Sequence, residues 1–265
     1  KKNKGNSFLS LTLPSSSRAE NYSVKRFSDA KLKDGSDLVN LIIIMGYDYQ
    51  SKSIPGGTSP LQSEGNKISL LKTIKRYNSY GVDKNKTILA LPYYGLMYNI
   101  ESVVDSLTNN KEIVASLERK LTYREIIELF IENPDLKYDI DLDPLSMSKQ
   151  INLVFDDNTM KEIIYDDSYT LSKKYDFAMF NGLKGVGIWA LGYDSRRYEL
   201  WNLIDQSFTS GKKVYTDPIG EVNGFPLRLA KSLVKDKAIY FVIIIFLTLS
   251  VIIAALILLG DFRVR

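Results

Sequence analysis

Two side chains that could bind a substrate or transfer a proton come directly after an apolar run of this sequence. An almost continuous apolar block from Leu38 to Met45 leads through Gly46 into Tyr47 and Asp48. Functional side chains of parallel α/β proteins collect where the buried strands end. A phenol hydroxyl and a carboxylate at such a point can orient a polar substrate or move a proton. We therefore treat Tyr47 and Asp48 as the first candidates for a functional site.

The composition narrows the chemistry that the chain can perform. Its 265 residues contain no cysteine and no histidine, which excludes disulfides, thiolate nucleophiles, Ser-His-Asp triads and histidine-ligated metals. Acid–base chemistry is left to carboxylates, tyrosines or lysines, and we expect no cofactor and no metal. The net charge of +4 is spread along the chain rather than gathered in a basic stripe, which disfavours nucleic-acid binding.

Apolar periodicity predicts alternating strands and helices. Four apolar runs are typical of strands, at Phe8–Leu13, Leu38–Met45, Thr87–Leu91 and Gly185–Ala190. Three amphipathic stretches predict helices, at Lys67–Tyr80, Leu171–Phe180 and Tyr198–Phe208. The alternation predicts an α/β fold with right-handed parallel crossovers. Because four parallel strands cannot close a barrel, further strands must lie upstream or in a partner.

A long segment between the third and fourth predicted strands, about residues 98–167, exceeds any ordinary connecting loop. We expect it to form a small α+β insertion. Within it, Val114–Phe130 is predicted to be rich in helix. Ile151–Phe155 and Glu162–Tyr165 are predicted to pair as a β-hairpin.

The C-terminal part of the sequence predicts a membrane anchor. Ala238 to Leu259 contains no charge and no proline, and a helix of this length covers a hydrocarbon core of about 30 Å. We predict a transmembrane helix at 238–260, preceded by a juxtamembrane linker at 209–237. The flanking charges do not fix the orientation, because long domains translocate largely regardless of charge. We expect a lipid bilayer as a partner and an extracytoplasmic catalytic domain in the cell envelope.

Four segments in the correct order resemble one known family. Met45-Gly-Tyr-Asp48 resembles the Met-x-Tyr-Asp signature on the sixth strand of the family 18 glycoside hydrolases, the chitinase-like barrels. Leu91–Gly95 resembles the end of that family's seventh strand, Gly185–Asp194 its eighth strand, and Phe8–Pro14 its fifth. The resemblance implies a partial (β/α)8 TIM barrel, strands 5 to 8, over residues 1–208.

The resemblance also implies roles for five residues. Family 18 enzymes cleave β-1,4 bonds next to N-acetylglucosamine (GlcNAc), with the substrate's own acetamido oxygen attacking the anomeric carbon. Tyr47 and Asp48 would then be catalytic, the first bonding the acetamido carbonyl and the second positioning the group. Met45 and Tyr94 would line the pocket, and Trp189 would stack beneath the sugar.

One feature of the family pattern is missing. The proton donor of family 18 is the glutamate that ends an Asp-x-x-Asp-x-Asp-x-Glu run on the fourth strand, and this sequence contains no such run. Asp139–Asp143 imitates it, but Leu145 stands where the glutamate should be, and the segment lies in the insertion. We interpret this segment as a solvated acidic strand or turn. The chain alone is therefore predicted to be inactive.

Two functions stay open on the sequence alone. In the first, the chain is part of a longer membrane-anchored hydrolase of GlcNAc polysaccharides such as peptidoglycan or chitin, and the start without methionine favours this reading. The missing N-terminal half of the barrel would then be its partner. In the second, the chain is a non-catalytic, membrane-anchored glycan-binding protein with a chitinase-like fold. A transport or signalling role is supported only by the predicted membrane helix.

Overall fold

The computed structural model describes residues 8–15, 26, 29–31, 33, 35–50, 52–104, 111–155, 157, 159–210 and 219. The chain divides into two compact units, Lys1–Asp217 and Pro218–Arg265, and the elements below belong to the first. The predicted transmembrane helix at 238–260 and nearly all of the predicted linker at 209–237 lie outside the described residues. No helix within the described ranges has the length and apolarity needed to cross a bilayer.

Runs of one to three strands separated by single α-helices make up the described part of the first unit. The strands are β1 Ser10–Leu13, β2 Leu41–Met45, β3 Thr87–Pro92, β4 Tyr94–Val104, β5 Lys111–Thr122, β6 Lys137–Asp143, β7 Ser148–Val154, β8 Met160–Tyr165 and β9 Gly185–Trp189. The helices are α1 Leu70–Ser79, α2 Tyr123–Glu132, α3 Ser168–Phe180 and α4 Glu199–Asp205. A short 3-10 turn, Lys84–Lys86, precedes β3, and a π-helical turn, Gln206–Ser210, follows α4.

Four strands form a parallel sheet in the order β1-β2-β3-β9. Every neighbouring pair in this sheet is parallel, which confirms the four predicted strands and the α/β class. The side chains of Ile42 and Ile44 on β2 are fully buried, as is Leu70 of α1. The alternate β2 residues Leu41, Ile43 and Met45 are only half-buried. One face of the sheet is therefore well packed, and the other is partly open.

The insertion forms a second, antiparallel sheet in the order β5-β4-β8-β7-β6. The predicted hairpin is confirmed as the antiparallel pair β7 and β8. β4 begins at Tyr94, so the second sheet starts almost directly after β3 ends at Pro92. The acidic segment Asp139–Asp143 lies on β6, an edge strand with mostly exposed side chains, as expected for a solvated strand.

One element of the insertion was predicted wrongly. Val114–Phe130 is not mainly helical, because β5 pairs with β4 as far as Thr122 and helix α2 begins only at Tyr123. The boundary is fixed by a capping box, in which Thr122 and Glu125 each accept a hydrogen bond from the other's backbone N–H. Pairing over the length of β4 outweighs the helix propensity of Leu117–Leu121, since strand propensity depends on tertiary context.

Two buried ion pairs stabilise the segment between the insertion and α3. The Lys174 ammonium lies 2.5 Å from both carboxylate oxygens of Asp166, and both side chains are almost completely buried. Lys149 of β7 lies 3.3 Å from Asp167, which also caps the N-terminus of α3. These charges join β7, the end of β8 and α3 where the chain returns to the parallel sheet. Such pairs are costly to break, because a lone buried charge remains.

We expect Lys174→Met to lower the free energy of unfolding by about 3–5 kcal/mol, because Asp166 would stay buried without its cation. Urea denaturation measures the loss. The matched control is Lys173→Met on the same helix, where the half-buried ammonium lies 4.8 Å from the centroid of the Tyr169 ring. That contact is worth about 1 kcal/mol or less. Equal losses in the two variants would contradict a special role for the buried pair.

Candidate functional site

The predicted site residues lie together at the carboxyl edge of the parallel sheet. Met45 ends β2, with Tyr47 and Asp48 directly after it, and Trp189 ends β9. Met45 is in register with Ala90, and Trp189 with Pro92, so both strands end at the same edge. Tyr94 begins β4, just beyond β3. The structure thus brings all five predicted residues to one edge.

Aromatic rings form a continuous surface at this edge. The rings of Tyr47 and Trp189 are stacked, with centroids 5.9 Å apart and planes inclined by 27°. Tyr94 meets Tyr47 edge-on at 6.4 Å and Tyr193 edge-on at 6.3 Å. Tyr47 and Tyr94 are buried in a cluster against which Met45 packs, whereas Trp189 is 51% exposed. The indole therefore presents an open apolar face to solvent.

The Asp48 carboxylate is the polar centre of the site. Its Oδ1 accepts hydrogen bonds from the Tyr94 hydroxyl and from Lys120 Nζ, the latter at 2.7 Å. The backbone N–H of Asp48 donates to Thr58 Oγ1 at 3.0 Å, and the Thr58 hydroxyl donates to the Tyr94 hydroxyl at 3.3 Å. Lys120 Nζ also lies 5.0 Å above the Tyr94 ring. Two separate segments of the chain therefore bond this carboxylate, and a third bonds the backbone N–H of the same residue.

Asp48 adopts a backbone conformation that few residues share. Its φ of 61° lies in the left-handed region, which aspartate tolerates better than most residues. Such backbone strain persists only where the surroundings fix it, and it is commonest at functional sites. The hydrogen bond from Asp48 N–H to Thr58, together with the bonds from Tyr94 and Lys120 to its carboxylate, holds the backbone in this conformation.

The environment sets the protonation states of the site. Burial raises the pKa of Asp48, but hydrogen bonds from Lys120 and Tyr94 outweigh it, so this pKa lies below its ordinary value. Burial and the neighbouring charge of Asp48 raise the pKa of Tyr47. Burial and the hydrogen bond to Asp48 likewise raise the pKa of Tyr94. At neutral pH the site holds one ionised acceptor and two neutral hydroxyls, so Asp48 can orient a polar group but cannot act as a proton donor.

Sequence reasoning missed three residues of this site. Lys120 lies 72 positions from Asp48 and reaches it only because β5 pairs with β4, with Lys120 opposite Leu96. Thr58 comes from the loop after β2. Tyr193 was assigned no role, although its ring contacts Tyr94. No local pattern marks Lys120, because a lysine on an exposed strand is ordinary.

The sequence matches one known protein family over most of its length. The family model described as "Glycosyl hydrolases family 18" matches residues 1–194. The chain belongs to glycosyl hydrolase family 18. The class V chitinase of Lotus japonicus is 26% identical over 154 residues, which are 57% of this chain and 37% of that protein.

Solved structures of chitinases and of a chitinase-like agglutinin share the fold at low sequence identity. The class V chitinase of Nicotiana tobaccum, solved as a mutant in complex with NAG4, is 19% identical, with a TM-score of 0.59 over 76% of this chain and 56% of that chain. A chitinase-like agglutinin from Robinia pseudoacacia is 17% identical, with a TM-score of 0.58 over 76% and 55% of the two chains. An Ostrinia furnacalis group IV chitinase, in complex with allosamidin, is 17% identical, with a TM-score of 0.61 over 78% and 58%. The chain therefore spans little more than half the length of these solved relatives.

We expect Lys120→Met to raise the pKa of Asp48, because the variant loses the ammonium while the desolvation of the carboxyl stays. NMR titration of the Asp48 side-chain carbon measures this pKa. Lys161→Met is the matched control, since Lys161 pairs with Glu118 on the same sheet. An unchanged Asp48 pKa in Lys120→Met, or an equal rise in the control, would contradict the Lys120 contact.

Proposed function

We propose that this domain provides the acetamide-binding part of a glycoside hydrolase site for β-1,4-linked GlcNAc, as in peptidoglycan or chitin. One observation carries the proposal: the stacked rings of Tyr47 and Trp189 lie beside the Tyr94–Asp48–Lys120 cluster. A GlcNAc residue needs both an aromatic surface for its apolar face and polar groups for its acetamide.

Each residue takes the role that its surroundings suit. The half-exposed Trp189 indole would stack beneath the sugar. The Asp48 carboxylate, ionised at neutral pH, would accept the acetamide N–H and hold the acetamido oxygen towards the anomeric carbon. The Tyr47 hydroxyl is protonated at neutral pH, and burial raises its pKa further, so it would donate to that oxygen. In substrate-assisted hydrolysis, the acetamido oxygen then attacks the anomeric carbon while the glycosidic oxygen takes a proton and leaves.

The proton for the leaving oxygen must come from another group. The sequence contains no Asp-x-x-Asp-x-Asp-x-Glu run, and the low pKa of Asp48 makes it a poor donor. We therefore assign the four parallel strands to strands 5 to 8 of a (β/α)8 barrel, whose other half, upstream or on a separate chain, supplies the acid. The half-buried face of β2 supports this assignment. The chain alone should bind the glycan without cleaving it.

The alternative function is non-catalytic glycan binding. It is supported by the Robinia pseudoacacia relative, which is itself called a chitinase-like agglutinin. In this case the aromatic surface and the Asp48 cluster would serve recognition only. For either function, the uncharged stretch at 238–260 supports a proposed membrane anchor, with the domain on the extracytoplasmic side.

We expect Trp189→Ala to weaken the binding of GlcNAc oligomers at least tenfold, or about 1.4 kcal/mol, because the sugar loses its stacking surface. Titration calorimetry measures the affinity. Trp201→Ala is the matched control, because the chain has only two tryptophans and Trp201 lies on α4 with a similar exposure of 41%. Equal affinities for Trp189→Ala and the unchanged protein would refute the proposed site.

A cleavage assay separates the two functions. Incubation of the chain alone with GlcNAc oligomers should yield no shortened products, whereas adding the missing half of the barrel with its glutamate should yield them. Binding without cleavage in the reconstituted protein would favour the non-catalytic function. Cleavage by this chain alone would show that the proton donor lies in this chain and not in the other half of the barrel.

A further inference from the structure

An apolar groove lies on the antiparallel sheet, apart from the Asp48 cluster. Its volume is about 460 Å³, within the range of about 300–1,000 Å³ that is usual for small-molecule sites. Its lining consists of the loop residues 53–55, Ile100 of β4, Ile113 and Ala115 of β5, and the paired ends of β7 and β8, 152–154 and 160–162. None of the aromatic residues of the candidate site lines it. The groove is therefore a separate feature of the insertion and of the loop that follows β2.

A row of apolar side chains crosses four strands and forms the floor of the groove. Ala115, Ile100, Met160 and Val154 are paired in register on β5, β4, β8 and β7, so their side chains stand side by side on one face of the sheet. Met160 is 47% exposed, and Ile113 at the rim is 76% exposed. Exposed apolar side chains that adjoin one another mark a binding surface, whereas scattered ones do not.

A carboxylate without a partner borders this floor. Glu162 follows Met160 by two residues on β8, so its side chain stands on the same face. It makes no ion pair and no hydrogen bond with the residues that the structure describes. Burial raises the pKa of Glu162, and no described cation lies near enough to lower it. The other charged residue of the lining, Lys161, is instead paired with Glu118 at 2.7 Å.

The carboxylate and the apolar floor together define the class of ligand. A carboxylate that loses water without gaining a cation is destabilised, so a cationic group that reaches Glu162 is bound favourably. The same charge disfavours phosphate and carboxylate ligands. The apolar floor suits an aliphatic chain. A lysine side chain combines both properties, since a compact ammonium ends a flexible four-carbon stem.

The edge of β5 offers backbone groups to a peptide. In the described structure, β5 is the outermost strand of its sheet and pairs with β4 alone. Leu117 N–H donates outwards, to Lys52 O at 2.8 Å. Alternate residues of an antiparallel strand direct their backbone groups to the same side, so those of Ala115 and Ile113 also point outwards, beside the groove. An extended peptide can add to such an edge through main-chain hydrogen bonds.

We propose that this groove binds a lysine side chain of an extended peptide. The peptide backbone pairs with β5 at Ile113 and Ala115, the aliphatic stem lies across Ile100 and Met160, and the ammonium bonds the Glu162 carboxylate. This peptide site uses no residue of the aromatic surface or of the Asp48 cluster, so it does not rest on the proposed function.

Titration calorimetry of the whole chain with two peptides tests the site. The first is acetyl-Thr-Lys-Thr amide, and the second replaces its lysine by norleucine, which has the same four-carbon stem without the ammonium. We expect the norleucine peptide to bind about tenfold more weakly, because it lacks the charge-assisted hydrogen bond to Glu162. Equal affinities for the two peptides, or no saturable binding of the lysine peptide, would overturn the proposal.

Glu162→Gln tests the place of the ammonium. The substitution keeps the shape of the side chain, and it should abolish the preference for the lysine peptide while leaving the norleucine peptide unaffected. Glu101→Gln is the matched control, because Glu101 is an exposed carboxylate on neighbouring β4 that lies outside the lining. This control should keep the preference. Loss of the preference in both variants, or in neither, would contradict the contact with Glu162.

NMR gives two readouts that a merely structural carboxylate would not show. The free Glu162 carboxyl has a raised pKa, and the bound ammonium should lower this pKa, so the lysine peptide binds more tightly as the pH rises through the pKa of the free group. The amide hydrogens of Ile113 and Ala115 should exchange more slowly with the peptide bound. An unchanged Glu162 pKa would rule out the ammonium contact, and unchanged exchange would rule out the pairing with β5.

Discussion

The hydrogen bonds of one carboxylate, that of Asp48, determine the geometry of the candidate site. This group joins the end of β2 to Tyr94 at the start of β4 and to Lys120 on β5, while its backbone is held by Thr58. Its left-handed φ of 61° is stable only because these partners surround it. The orientation of Tyr47, directly before it in the chain, depends on the same restraint.

The antiparallel insertion supplies part of the site. β4 starts almost directly after β3, so its first residue, Tyr94, belongs both to the edge of the parallel sheet and to the second sheet. β5 then returns Lys120 to Asp48. The buried ion pair of Lys174 and Asp166 stabilises the end of the insertion, where α3 begins. A parallel sheet without this insertion would present Tyr47 and Trp189 but would leave Asp48 without its cation and its phenol.

Patterns that are local in sequence predicted most of the fold. The four parallel strands follow from continuous apolar runs, and the β7–β8 hairpin follows from two short runs around a polar turn. The helix predicted over Val114–Phe130 was wrong because the pairing of β5 with β4 is a long-range contact that propensity does not record. Tyr47 and Asp48 could be found from the Met-x-Tyr-Asp resemblance and from their place after an apolar run, whereas the contact of Lys120 with Asp48 depends on that same pairing.

The most direct measurement of the central claim is a crystal structure of this chain with a bound GlcNAc oligomer. The account predicts one sugar ring stacked on the Trp189 indole, with its acetamide nitrogen within hydrogen-bond distance of Asp48 and its acetamide oxygen near the Tyr47 hydroxyl. An oligomer that is bound elsewhere, or that lies on Trp189 with its acetamide turned away from Tyr47 and Asp48, would contradict it.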